Sequence, residues 1–205
     1  VLYVIEGCDA VGKATHAKIL ADRLGCDVLA FPDYTSPTGR AIKAQFDDAW
    51  SVHKIDGGHC ADAESTFHDL VFQSLMLANR FEHFDKLALA AGSKMHHLVC
   101  DRYFASGIVY GTVEGLDPSW LELVHRGLPR ADYCVLIDMP VELGLVRRPD
   151  RRDRNERDAN KLQKVRDEYL RYFTVCCEAS PAWRVVDGTG TIEEVSARVR
   201  EAVGL

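Results

Sequence analysis

The 205-residue sequence predicts a three-layer α/β fold, a parallel β-sheet with helices packed on both faces. Two observations carry that expectation. Short apolar runs alternate with longer amphipathic segments along the whole chain, and a glycine-rich turn joins the first run to the first amphipathic segment. Val1–Ile5, Cys26–Phe31, His97–Cys100, Tyr133–Ile137 and Trp183–Val186 are brief and rich in β-branched or aromatic residues, as buried strands are. Lys13–Leu24, Glu64–Ala91, Ser119–His125, Val141–Arg147, Asn160–Glu178 and Ile192–Val203 space their apolar residues at helical intervals. Strands that alternate with helices pair in parallel, because each helix carries the chain back to the edge where the last strand began. Pro118 behind Asp117, and Thr191 ahead of Glu193 and Glu194, read as helix starts. No repeat, linker or shift of composition divides the chain, so residues 1–205 are expected to form one domain.

A formal net charge of −6 argues against a general nucleic-acid binder, which needs a clustered excess of Lys and Arg. A small anionic ligand stays open, since a few local cations suffice for it. Seven cysteines, an odd number without zinc spacing, point to a reducing, cytoplasmic setting. No apolar run approaches a membrane span and no basic-then-apolar leader opens the chain, so no membrane partner is expected.

The first strand ends in Gly7-Cys8-Asp9-Ala10-Val11-Gly12-Lys13-Ala14-Thr15, which fits G-x-x-x-x-G-K with a hydroxyl one place later than usual. Gly7 and Gly12 let the backbone wrap closely, so that successive N–H groups point at phosphate oxygens at a helix N-terminus. Lys13 sets a compact charge against the β- and γ-phosphates, and the whole segment is expected to bind ATP. Ala14 stands where a Ser or Thr ordinarily ligates Mg²⁺. Thr15 is therefore expected at the α-phosphate. The Mg²⁺ that accompanies ATP is left to water, the nucleotide and Asp101, which follows the apolar run Leu98-Val99-Cys100 at a strand end facing the crevice.

Further motifs follow in order: Phe31-Pro32-Asp33, Ala78-Asn79-Arg80-Phe81-Glu82, Asp101-Arg102-Tyr103 leading into Ser106-Gly107, Gly127–Asp132, an arginine-rich segment, and Val185–Gly188. With the phosphate loop, this set resembles the thymidylate kinase family nearly end to end, and its eukaryotic branch more than its bacterial one. The resemblance implies a P-loop nucleoside-monophosphate kinase fold and transfer of the ATP γ-phosphate to dTMP, giving dTDP for dTTP biosynthesis. It also implies Mg²⁺ as cofactor and a homodimer formed through the long helices.

Site roles follow from the same resemblance. Asp9 accepts the 3′-hydroxyl of the deoxyribose, and Arg80 and Arg102 grip the monophosphate, a task that guanidinium forks suit. Phe31 and Tyr110 wall the pyrimidine, with Ser106 and Gly107 beside it, while Arg147, Asp187 and Gly188 contact ATP. Two substrate positions depart from the family pattern. Tyr34 replaces an Arg after F-P-D, and Met76 replaces a Phe that stacks on the base. A deoxynucleoside kinase would instead need a carboxylate base for a sugar hydroxyl, whereas a monophosphate is already anionic and needs arginine clamps. Other pyrimidine monophosphate kinases are neighbours in the same class, and a GTP-dependent switch would need an N-K-x-D that the sequence lacks.

Residues 147–158 contain Arg147, Arg148, Arg151, Arg152, Arg154 and Arg157 and are expected to form a lid, whose closure delivers positive charge and excludes water. Ala10 lies where eukaryotic members of the family carry an Arg, so Lys13 is the only cation in the phosphate loop. Arg148 and Arg152, four apart, are the expected supplement, acting with Lys13, Arg102 and Asp9 in catalysis. Replacing Arg148 or Arg152 by Ala is expected to lower turnover at saturating substrates by about tenfold or more, with ATP affinity within a few fold, as for a contact made in the transition state. Single-Ala variants at each lid arginine, assayed for turnover and for ATP binding, check this.

Overall fold

The computed structural model describes residues 1–46, 61–147 and 159–205, the side chains of 61–67 excepted. Its strands are β1 (Leu2–Glu6), β2 (Asp27–Ala30), β3 (Leu98–Asp101), β4 (Tyr133–Asp138) and β5 (Trp183–Asp187). They form one parallel sheet in the order β2-β3-β1-β4-β5. All five residues of β1 are buried, because a central strand covered on both faces has no solvent side. The helices are α1 (Lys13–Leu24), α2 (Pro37–Phe46), α3 (Ala61–Phe81), α4 (Phe84–Ala91), α5 (Phe104–Val113), α6 (Pro118–His125), α7 (Val141–Arg147), α8 (Ala159–Ala179) and α9 (Ile192–Ala202).

Right-handed crossovers determine the layers. The chain leaves β1 through α1 toward β2 in one direction and leaves β4 through α8 toward β5 in the other, so α1 and α8 cover opposite faces. Helix α9 packs beside α1, and α5 beside α8. Ile5, Val99 and Val135, on three adjacent strands, are wholly buried between these layers. The order of connection reverses at β1, and in such sheets the ligand crevice opens at that point, beyond the carboxyl ends of the strands.

The five expected strands are all present, with ends shifted by a residue or two. Three features differ from the sequence expectation. Glu64–Ala91 is two helices, broken at Glu82-His83. The break has a tertiary cause: the Glu82 carboxylate accepts from Thr38 N (3.0 Å) and Thr38 Oγ1 (2.7 Å), and His83 Nε2 lies 3.1 Å from Asp33 Oδ2. Both side chains are thereby drawn toward the loop after β2. Helix α5 lacks an amphipathic period because it is buried nearly all round, and Gly107 and Gly111 let His125 and Leu121 of α6 close onto it. Helix α2 opens with Pro37 and contains Gly39, a combination that reads as a turn in sequence.

Gly39 is where α2 is held to the loop before it. A Cβ there would stand 1.7 Å from the backbone oxygen of Asp33, and backbone has little room to yield. Gly39→Ala is expected to destabilise the protein by about 2 kcal/mol or more, as overpacking against backbone does. Chemical denaturation with an unchanged m-value checks this.

Candidate active site

A cavity of about 870 Å³ opens at the carboxyl ends of the strands, lined by the phosphate loop, Phe31, Asp101, Arg102, Arg147 and the start of α9. Its floor is the loop Gly7–Gly12. Gly7 has φ +148°, and a Cβ there would lie 2.6 Å from the carbonyl oxygen of Ile137, so only glycine lets the loop rest on β4. Gly12, at φ +95°, is the residue before α1 and supplies no side-chain cap, which leaves the first amides of α1 for an anion. Lys13 folds back over the loop: its Nζ donates to Cys8 O at 2.5 Å and lies 4.0 Å from Asp9 Oδ1. Burial, and then the charge of Arg102, lower its pKa.

Asp9 and Arg102 join the loop to the turn after β3. The Arg102 Nη2 donates to Asp9 Oδ1, and the Tyr110 hydroxyl donates to Asp9 Oδ2 at 3.0 Å. The guanidinium carbon of Arg102 stands 5.2 Å from the Tyr110 ring centre, and its Nη1 donates to Ser106 Oγ (3.2 Å) and to the Tyr169 hydroxyl (3.4 Å). Burial alone would raise the Asp9 pKa. The charges of Arg102 and Lys13 and the Tyr110 hydroxyl outweigh it and hold the carboxyl at about 2. Arg102 and Ala10 are the non-glycine residues with positive φ among those described, both at 67°. Asp101, one residue earlier, lines the cavity with a buried Oδ1 that has no hydrogen-bond partner.

The matching family profile is Thymidylate kinase, over residues 5–199. The chain belongs to the thymidylate kinase family. It is accordingly a nucleoside-monophosphate kinase, a phosphotransferase. A probable thymidylate kinase of Pyrococcus horikoshii is 34% identical over 96% of this chain and 92% of its own length. The thymidylate kinase of Schizosaccharomyces pombe is 26% identical over 98% of this chain and 90% of its own. The fold is that of the thymidylate kinase structure from Candida albicans, with a TM-score of 0.77 at 23% identity over 98% of this chain and 90% of that one.

Within this family member, the cavity gathers some of the expected residues and leaves others out. Asp9–Thr15, Phe31, Tyr34, Asp101, Arg102 and Arg147 line it. Arg80 does not: it is 1% exposed, its Nε donates to Tyr103 O (3.0 Å) and its Nη1 to Met76 O (2.8 Å), and its guanidinium carbon lies 6.0 Å from the Phe31 ring. Its Nη2 is buried without a partner. Ser106 donates to Glu6 and lies 2.8 Å from the Tyr169 hydroxyl, and Gly107 faces His125; neither lines the cavity. Met76 and Tyr110 also lie outside its lining. On the far side, the Asp187 carboxylate accepts from Thr189 N and Oγ1, and Gly188 is pressed on Ile137 and Asp138. Arg147 donates to Gly188 O (3.1 Å) and Gly190 O (3.0 Å).

Gly190, Thr191, Ile192 and Val195 form that wall, together with His16, whose Nδ1 is 2.9 Å from Ser196 Oγ. Sequence reasoning missed these residues. The capping box of Thr191 and Glu194 was their one local signal, since it starts α9 at the cavity rim. Arg148 and Arg152 lie outside the described residues.

The depressed Asp9 pKa has a stability consequence. A carboxyl with a folded pKa of about 2 against an ordinary 3.8 stabilises the fold fully above about pH 5 and loses that contribution as pH falls through about 2, worth roughly 2 kcal/mol. Asp9→Asn is expected to flatten the acid limb of the stability–pH curve between about pH 5 and 2 relative to the unmodified protein. Denaturant titrations across that range check this.

Proposed function

We propose that the protein transfers the γ-phosphoryl group of Mg·ATP to the phosphate of dTMP. The observation that carries this reading is the cluster of buried Lys13 with half-buried Asp9 and Arg102 at the floor of a cavity large enough for two nucleotide phosphate chains to meet. The phosphate of ATP lies on the amides at the start of α1, and its base lies toward Gly190–Val195. Arg102 holds the acceptor phosphate, whose oxygen forms a bond to the γ-phosphorus as the bridge to the β-phosphate breaks. An anionic acceptor needs no base, and Asp9, held at about 2 and bound to Arg102, is not built to take a proton.

Phe31 stacks at 5.8 Å from Tyr103 and offers a flat wall for a pyrimidine. The free Nη2 of Arg80, behind Phe31, is a donor suited to a base carbonyl rather than to the phosphate. For Mg²⁺, the carboxylate among the described cavity residues with an orphaned buried oxygen is Asp101, and Ala14 carries no hydroxyl. That fits an ion which keeps several waters and binds mostly to nucleotide phosphates. When bound it neutralises phosphate charge; the residues of this chain place the two substrates around it.

The proposal extends to a single catalytic domain with residues 147–158 as its lid, and to a homodimer through the α3–α4 surface, where Phe81 and Phe84 stack and are 39% and 40% exposed. A cytoplasmic setting suits the unpaired cysteines of the described residues, among which no helix is long and apolar enough to cross a membrane. A coupled assay with Mg·ATP across dTMP, dUMP, UMP, CMP, AMP and thymidine tests the reading. The expected order puts dTMP first in kcat/KM, by about tenfold over UMP and CMP, with no use of thymidine, since a site built to pair a phosphate rejects the analogue lacking it. Preference for thymidine, or for a ribonucleotide, would overturn it.

A further inference from the structure

We propose that Glu6 is the positioning residue of the acceptor side, a buried carboxylate that holds Arg102 and Arg80 in place without touching either. The inference rests on the reading that these arginines serve the acceptor nucleotide. Glu6 ends β1, immediately before the phosphate loop, and is 0% exposed. Its Oε1 accepts from the backbone N–H of Tyr103 (2.8 Å) and of Ser106 (3.2 Å), at the start of α5. Its Oε2 accepts from Ser106 Oγ (2.6 Å) and from the Tyr169 hydroxyl (3.0 Å). Among the described residues no cation forms an ion pair with it, and the α5 terminus and the donors that lead outward to the two arginines face its charge.

Two branches run from it. In the first, a single residue relays the contact: the Tyr103 N–H donates to Glu6 while the Tyr103 carbonyl accepts from Arg80 Nε at 3.0 Å. In the second, Ser106 Oγ and the Tyr169 hydroxyl accept from Arg102 Nη1 on one side and reach Glu6 Oε2 on the other. An ionised carboxylate only accepts, so the hydroxyl protons turn toward Glu6 and leave lone pairs for Arg102. A neutral amide at this position would reverse part of that polarity. The geometry also fixes the turn at Arg102, whose φ of 67° is costly and whose next N–H is the one bound to Glu6. Glu6 thus sets where both guanidinium groups lie, whereas the ATP side, built on the start of α1 and on α9, has no bond to it.

The test is Glu6→Gln assayed with dTMP and ATP varied separately, with Tyr169→Phe as a milder variant that keeps the carboxylate and breaks one link to Arg102. Glu6→Gln is expected to lower kcat/KM for dTMP by about thirtyfold or more while KM for ATP stays within about threefold, because small misplacements of a clamp are costly. Tyr169→Phe should act in the same direction by about three- to tenfold. In an Arg102→Ala background, the effect of Glu6→Gln on dTMP should shrink by about tenfold or more, as for groups acting in one network. A folded Glu6→Gln enzyme with unchanged dTMP kinetics, an equal loss toward both substrates, or an undiminished effect beside Arg102→Ala overturns the proposal. If Glu6→Gln does not fold, an unaltered dTMP profile of Tyr169→Phe overturns it alone. Failure of the unmodified enzyme to use dTMP would instead strike the functional reading beneath it.

Discussion

The ion pair of Asp9 and Arg102 is the contact on which the active site depends. Asp9 follows β1 and Arg102 follows β3, and these strands are neighbours in register, Ile5 beside Asp101. The pair therefore closes the crevice floor at the point where the sheet reverses its order of connection. It also holds two backbones in a conformation that L-residues resist, at Ala10 and Arg102, each costing about 1–2 kcal/mol. Buried ion pairs contribute little to stability relative to apolar packing, and leaving one charge without its partner is severe. What such a pair does provide is a partner for the Arg102 charge in the absence of substrate, which on the proposed reading incoming phosphates would replace.

Much of this was legible in the sequence. The cores of β1, β3 and β4 were visible because a parallel strand buried on both faces is a short unbroken apolar run, whereas the edge strands β2 and β5, expected to be buried, are largely half-buried or exposed. The phosphate loop was visible because its geometry admits glycine at two places and little else. The features that escaped share a physical cause. Helix α5 shows no period since it is buried nearly all round, and α2 begins with the residues of a turn. The break at Glu82-His83 comes from contacts with residues more than forty positions away, which no local pattern records.

The direction of a side chain was the least legible quantity. Residues 106, 107 and 110 of α5 were all expected beside the base, yet steps of about 100° along a helix cannot aim all of them at one ligand. Ser106 and Tyr110, one turn apart, share the face toward Glu6 and Asp9, while Gly107 turns to α6. Arg80 illustrates the same limit, since its motif marks it as functional but does not say that two of its nitrogens bond backbone carbonyls. Glu6 drew no notice as a polar residue at the end of an apolar strand, although four donors converge on it.

One arrangement bears on how acceptors are told apart. Asn79 accepts from Asp33 N at 2.8 Å and donates to Asp33 O, Ser36 Oγ and Thr38 Oγ1, while Glu82 takes both donors of Thr38. The end of α3 is in this way bolted to the loop after β2 and the start of α2, with the Phe31 ring and the Arg80 guanidinium carbon 6.0 Å apart beside it. Such a joint is a gauge of shape. On the proposed reading, acceptor bases of different size meet that gauge, and the range of nucleotides accepted follows from the side chains it carries.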